Sequence, residues 1–230
     1  VQTCALPILT RSSDRHFAET ILSDFYGEES FSELEQSALN QLVFLAKNQF
    51  RRDPSFVEIH GPCIVISGLQ GNLSVLLTFL DKVLPHIVEG TCLLFLGGYE
   101  AQEPNFFDFV YFIYCLKLLY PKQIYILRGR TEYTTDYEGK LVFLTLNDLS
   151  DGVDYLEKTF VAPDEVCVRK SFEYLPVAAS IDGSVFCASG GIPAFSTNLE
   201  MFRSIILPYS FDITGGIVAD FLFRIPITHS

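Results

Sequence analysis

Three short apolar runs in this chain end in glycine, and that repetition restricts the possible folds more than any other feature. Residues 63–66 run into Gly68 and Gly71, residues 92–96 into Gly97 and Gly98, and residues 123–127 into Gly129. Between them lie two longer stretches, 73–84 and 106–120, with apolar residues at helical spacing. Strand, helix, strand, helix, strand is the order of a parallel sheet joined by right-handed crossovers. In such sheets ligands bind in the crevice beyond the carboxyl ends of the strands, where glycine lets backbone approach closely. Any site is therefore expected at these three turns.

The flanking sequence extends the pattern. Ser32 followed by Glu35 has the form of a capping box, and Leu34, Ala38, Leu42, Leu45 and Phe50 then recur at helical spacing, which predicts a first helix over 33–50. Asp53-Pro54 ends it, Val57-Glu58-Ile59 follows, and Gly61-Pro62 precedes Cys63-Ile64-Val65-Ile66, read as a central strand. A variable acidic stretch fills 131–165. Beyond it a strand pair at 174–181 and 184–188 is joined by Asp182-Gly183, a strong hairpin signal, and ends in Gly190-Gly191. A helix near 198–207 and an apolar segment at 217–223 complete the series. With no Pro/Gly/Ser-rich linker and no internal repeat, residues 11–230 read as one domain. Residues 1–10 are set aside as artefactual or disordered, because Val1 to Ile8 resembles translated sequencing adaptor. Met201 is the only methionine, which predicts a fragment.

Composition removes several function classes. The chain has 230 residues, 49% of them hydrophobic, with 21 Phe and 11 Tyr, enough apolar material for one sizeable core. No apolar stretch approaches the roughly 18 residues that span a bilayer. A net charge of −12 repels phosphate backbones and anionic lipid, so no nucleic acid or membrane partner is expected and a basic docking peptide suits the charge better. Cys4, Cys63, Cys92, Cys115, Cys167 and Cys187 form no Cys-x-x-Cys pair and mostly lie in apolar runs, the pattern of reduced core thiols in a cytoplasmic or nuclear protein. Asn72-Leu73-Ser74 matches a glycosylation sequon but sits at the end of an apparent buried strand and is discounted. His60 and His86 read as surface or boundary residues.

The turns carry a more specific signal. Ile66-Ser67-Gly68-Leu69-Gln70-Gly71-Asn72, Leu94-Phe95-Leu96-Gly97-Gly98-Tyr99 and Ile126-Leu127-Arg128-Gly129-Arg130-Thr131-Glu132 follow in order, and Leu175-Pro176-Val177-Ala178-Ala179 with Cys187-Ala188-Ser189-Gly190-Gly191-Ile192 makes a fourth. Turn by turn these resemble the Gly-Asp-x-His-Gly-Gln, Leu-Phe-Leu-Gly-Asp-Tyr, Leu-Leu-Arg-Gly-Asn-His-Glu, Leu-Pro-(Ile/Val)-Ala-Ala and Cys-His-Gly-Gly-Leu segments of the metal-dependent serine/threonine protein phosphatases. That is the family of protein phosphatases 1 and 2A and calcineurin, and the resemblance is strongest over 30–223. It implies an α/β, calcineurin-like metallophosphoesterase fold: a β-sandwich flanked by helices, here incomplete at the C-terminus.

The resemblance also implies a site, and this sequence departs from it almost everywhere. Family members hold two divalent metals, such as Mn or Fe/Zn, with Asp, Asn and His so that a bound hydroxide attacks phosphorus. The first Asp corresponds to Gly68 and its His to Gln70; the bridging Asp to Gly98; the Asn to Arg130; the catalytic His to Thr131; a later His ligand to Ser189. The phosphate-holding Asp-Arg pair corresponds to Ala101-Gln102, which removes a guanidinium with its fixed donors. No metal cofactor is therefore expected. Rebuilding a metal site from Glu100, Glu103, Glu132 and Asp136 is disfavoured, since these fall on loops. Arg130 places a cation where a phosphate would lie, either as an anion or phosphopeptide contact or, by preference, as a counter-ion for Glu132 or Asp136 that plugs the crevice.

The expected function is that of a non-catalytic pseudophosphatase, a scaffold for regulatory subunits or phosphoproteins. The alternative is a weak or rewired metal-dependent phosphoprotein phosphatase drawing ligands from elsewhere. A nucleotide-binding module is a poor third reading, because Gly68-Leu69-Gln70-Gly71 lacks both the dinucleotide fingerprint and a phosphate-loop lysine.

Overall fold

A computed structural model describes residues 11–28, 30–99, 106–132, 134–137, 140–147, 155–160, 165–192 and 198–209. In chain order the helices are α1 (Arg11–Glu28), α2 (Gln36–Phe50), α3 (Leu73–Val88), α4 (Phe106–Leu119), α5 (Val166–Ser171) and α6 (Glu200–Arg203). The strands are β1 (Phe56–Ile59), β2 (Cys63–Ile66), β3 (Cys92–Phe95), β4 (Ile124–Ile126), β5 (Thr134–Tyr137), β6 (Lys140–Asn147), β7 (Tyr155–Phe160), β8 (Ala178–Ile181) and β9 (Val185–Ala188).

The predicted parallel sheet is present. β2, β3 and β4 run parallel in that order, with Cys63 opposite Cys92 and Leu94 opposite Tyr125. A second sheet, β1-β8-β9, pairs β1 parallel to β8 and β8 antiparallel to β9. Alternation along each strand assembles the two into a sandwich. Cys92 and Leu94 of β3 meet Val57 and Ile59 of β1, Ala179 of β8 and Cys187 of β9 in one apolar cluster between the sheets. Leu93 and Phe95 point the other way, into the large core formed with α1, α2, α3 and α4. On the outer face of the second sheet Phe56, Val177 and Ala178 are covered by Phe202 of α6. The expected β-sandwich flanked by helices is thus what forms.

α4 explains how the helical layer holds together. Every residue from Phe109 to Leu116 is buried, so the helix is apolar all round and lies within the core, packed on α1 and α2. Its Lys117 is buried too, its ammonium paired at 2.7 Å with Asp53 and donating to the carbonyls of Pro121 and Ile124. Burial draws the Lys117 pKa down against the opposing pull of Asp53.

Several local expectations require correction. β3, fully buried, is the central strand of the described sheet; β2 lies at its edge, partly exposed, because a short β-branched run does not by itself distinguish centre from edge. No capping box opens α2: Glu35 is itself the residue before the first helical turn, no side chain caps it, and Phe31–Glu33 forms a separate 3-10 turn. α1 lies ahead of the predicted first helix, with Ala18, Ile21 and Phe25 buried along one face. The acidic stretch contains a meander, β5-β6-β7, with Tyr137 opposite Lys140. The strand expected from 174 begins only at Ala178, Tyr174 ending a 3-10 turn over Phe172–Tyr174, and the C-terminal helix reaches only 200–203. Asn72 is exposed and caps α3, its side chain accepting the Val75 N–H at 3.0 Å. The hairpin matches expectation: Asp182 and Gly183 have φ of 50° and 64°, and the Ser184 N–H donates to Ile181 at 3.0 Å. The segment at 217–223 lies outside the described residues.

Candidate functional site

The turns after β2, β3, β4 and β9 converge, as the sequence suggested, and their glycines make the convergence possible. A Cβ built on Gly97 would lie 2.4 Å from the Cα of Gly129 and 3.2 Å from the Ser189 hydroxyl. One built on Gly129 would lie 2.6 Å from the Gly98 nitrogen. Backbone therefore presses on backbone here, and only glycine fits. A void too small for water, lined by Ser67, Leu69, Gly97, Gly98 and Tyr99 among others, joins the first turn to the second.

Glu132 ties these turns together. It is fully buried, in the 3-10 turn Arg130–Glu132. Its Oε1 accepts the Tyr99 N–H at 2.7 Å and the Thr131 hydroxyl at 2.6 Å; its Oε2 accepts the Gly129 N–H at 2.7 Å and the Gly98 N–H at 3.1 Å. A buried carboxylate is tolerated only with such partners, and bonds to it are stronger than neutral ones. Two more buried polar groups add to the clamp. Tyr99 donates its hydroxyl to the Leu127 carbonyl at 2.6 Å, and burial, with the Glu132 charge beside it, holds its pKa well above the ordinary tyrosine value. Arg128 donates to the carbonyls of Glu132 and Tyr209. The sequence reading considered Glu132 only as a disfavoured metal ligand and as a counter-ion for Arg130, and gave no role to Tyr99 or Arg128. The signal was present in polar residues embedded in apolar strand ends, which must find partners inside the fold.

The positions singled out in the sequence lie as follows. Gly68 and Gly98 have φ of 71° and 76°, and a Cβ built on either meets no atom within 4 Å. Gln70, also left-handed at φ 47°, lies in the first turn with Gly68. Thr131 spends its hydroxyl on Glu132, and Ser189 stands beside Gly97. Ala101-Gln102, Glu100 and Glu103 lie outside the described residues, as do the side chains of Arg130 and Asp136 and both expectations for the Arg130 cation.

Two hard divalent cations need several carboxylate or imidazole donors. The described positions do not fit that need: Gly68 and Gly98 offer no side chain, Ser189 a hydroxyl, Gln70 an amide, and both oxygens of Glu132 are taken. Among the described residues no three of His, Cys, Asp and Glu are grouped as a metal would require. None of those helices is long and apolar enough to cross a membrane.

Comparison with known proteins agrees with the motif reading. No family model matches the chain. The serine/threonine-protein phosphatase PP2A-like PPG1 of Candida albicans is 26% identical over 202 residues, covering 84% of this chain and 44% of that protein. The chain thus spans less than half the length of that relative. A protein serine/threonine phosphatase of Saccharomyces cerevisiae with similarity to human phosphatase PP5 superposes with a TM-score of 0.67 at 21% identity, over 90% of this chain and 63% of the other. That likeness gives the fold, an α/β calcineurin-like sandwich, and the sequence match agrees with the four ordered motifs. Over the span it covers, this chain is similar in sequence and in fold to part of the serine/threonine protein phosphatases.

Proposed function

We propose that this chain is a pseudophosphatase: it keeps the phosphatase scaffold, binds no catalytic metal pair and serves as a non-catalytic interaction protein inside the cell. The observation that supports this most is the state of the strand ends. Where the motif resemblance places metal-bearing carboxylates, Gly68 and Gly98 present bare backbone to open space. The one described carboxylate in the crevice, Glu132, is consumed by three backbone N–H groups and a hydroxyl. Nothing described there is left to position a nucleophilic water or neutralise a phosphoryl group, the tasks on which metal-assisted phosphoryl transfer depends. What remains is a surface whose partners are regulatory subunits or phosphoproteins.

The test is turnover. Purified protein is incubated with phosphoserine and phosphothreonine peptides and with p-nitrophenyl phosphate in manganese, iron and zinc, and phosphate release is followed against a no-protein control. The proposal expects rates indistinguishable from the control in every metal. Saturable, metal-dependent release that disappears with chelator overturns it.

A further inference from the structure

A second feature lies on the helical side, away from the strand-end turns, and shares no lining residue with them. The C-terminal half of α1, the 3-10 turn at Phe31–Glu33 and the start of α2 enclose an open groove of about 520 Å³, a size typical of ligand clefts. Its floor is apolar: Ile21 is buried, and Leu34 and Ala38 pack half-buried against the main core. Its rim is acidic, formed by Asp24, Glu33 and Glu35. Beyond Leu34 a second concavity of about 240 Å³ continues past Leu39, Phe107 and Tyr111 to Asp108 and Glu165. Among the described residues no Lys, Arg or His lines either part.

The acids divide into two kinds. Asp108 is occupied by the Ser30 hydroxyl and the Phe31 N–H, Glu165 by Arg169, and one oxygen of Glu35 accepts the Ser37 hydroxyl at 3.2 Å, leaving its other oxygen to solvent. Asp24 and Glu33 have no side-chain partner among the described residues, so their charge is directed at solvent over an apolar floor. The groove's opening also depends on Gly27, which stands in its wall and whose built Cβ meets nothing within 4 Å.

We propose that this groove docks a basic segment of a partner protein, with an apolar side chain seated on Leu34 and Ala38 and Lys or Arg side chains set along Asp24, Glu33 and Glu35. Charge selects this occupant over others. A chain of net charge −12 repels a second copy of itself and an anionic lipid surface, whereas a cationic segment is attracted over a long range and then finds apolar contact. The inference does not depend on whether the strand-end crevice is catalytic.

The probe is a fluorescein-labelled octapeptide of alternating arginine and leucine, titrated with the whole chain by fluorescence anisotropy at physiological salt. Saturable binding is expected, weakened roughly tenfold by Asp24→Asn with Glu33→Gln. Gly27→Phe should weaken it similarly by filling the groove, and that helix position has room for a side chain, so the fold should survive. Glu89→Gln, an exposed acid capping α3, should change affinity by less than about twofold, the effect of net charge alone. Equal, small losses in all three variants would reduce the attraction to net charge and overturn the proposal. So would light scattering that finds a dimer abolished by Gly27→Phe, because the groove would then hold a second copy.

Discussion

Replacing Glu132 with Gln keeps the shape of the clamp and removes half its accepting power. The carboxylate takes two bonds on each oxygen; the amide has one oxygen and one NH2. If the amide oxygen keeps Gly98 and Gly129, the Thr131 hydroxyl can turn to accept from the NH2, but the Tyr99 N–H is left facing another donor. An orphaned buried N–H costs about 1–3 kcal/mol, and turning the surviving bonds from charged to neutral removes about 1 kcal/mol more. The expected loss is therefore about 3 kcal/mol, a large part of the roughly 5–15 kcal/mol that holds a domain folded. Glu132→Ala, which orphans three N–H groups, should lose more. Urea unfolding followed by circular dichroism reads this as a lower midpoint with unchanged slope. If Glu132→Gln stays within about 0.5 kcal/mol of the parent, the carboxylate is not the clamp described.

Other perturbations separate steric, electrostatic and reactive effects. Gly97→Ala drives a Cβ into Gly129 and should destabilise by about 3 kcal/mol or more, while Gly98→Ala, with open space and only its left-handed φ to oppose it, should cost about 1–2 kcal/mol; thermal melts that rank them the other way contradict the packing of the turns. Burial raises the Asp108 pKa above its ordinary 3.8, against the pull of Ser30 and Phe31, so the stability tied to its protonated form is present at low pH and lost as pH rises through its folded pKa. Asp108→Asn should accordingly gain on the parent as pH rises from the ordinary carboxylate value through the folded pKa, and a gain that shrinks over that rise in urea-unfolding midpoints refutes the assignment. Burial pushes the Cys63 thiol up to about 12, so among the described cysteines iodoacetamide at pH 8 should label exposed Cys167 first and spare half-exposed Cys63 until the chain unfolds, as peptide mass mapping would show.

How far the sequence could be read depended on the kind of interaction. β2, β3, β4 and the hairpin at Asp182-Gly183 were legible because glycine and short apolar runs act locally. The convergence of the turns followed from parallel topology. α1 was not legible because Ala18, Ile21 and Phe25, though at helical spacing, stand in a segment of mostly polar and charged residues whose apolar stripe is narrow. The meander at 134–160 was hidden by its acidic flanks, and β2 was placed at the centre because burial depends on neighbours distant in sequence. In the candidate site the missing side chains at Gly68 and Gly98 could be read directly. The use made of Glu132, Tyr99 and Arg128 could not, since it rests on contacts between turns that only the folded chain brings together.

The central claim, that the scaffold holds no catalytic metal pair, is tested most directly by metal stoichiometry. Purified protein, stripped with chelator and dialysed against manganese, is measured by elemental analysis and by calorimetric titration. The account predicts well under one manganese per chain and no saturable heat. Two ions per chain, bound tightly enough to survive gel filtration, would contradict it and return the strand-end crevice to the status of an active metal site.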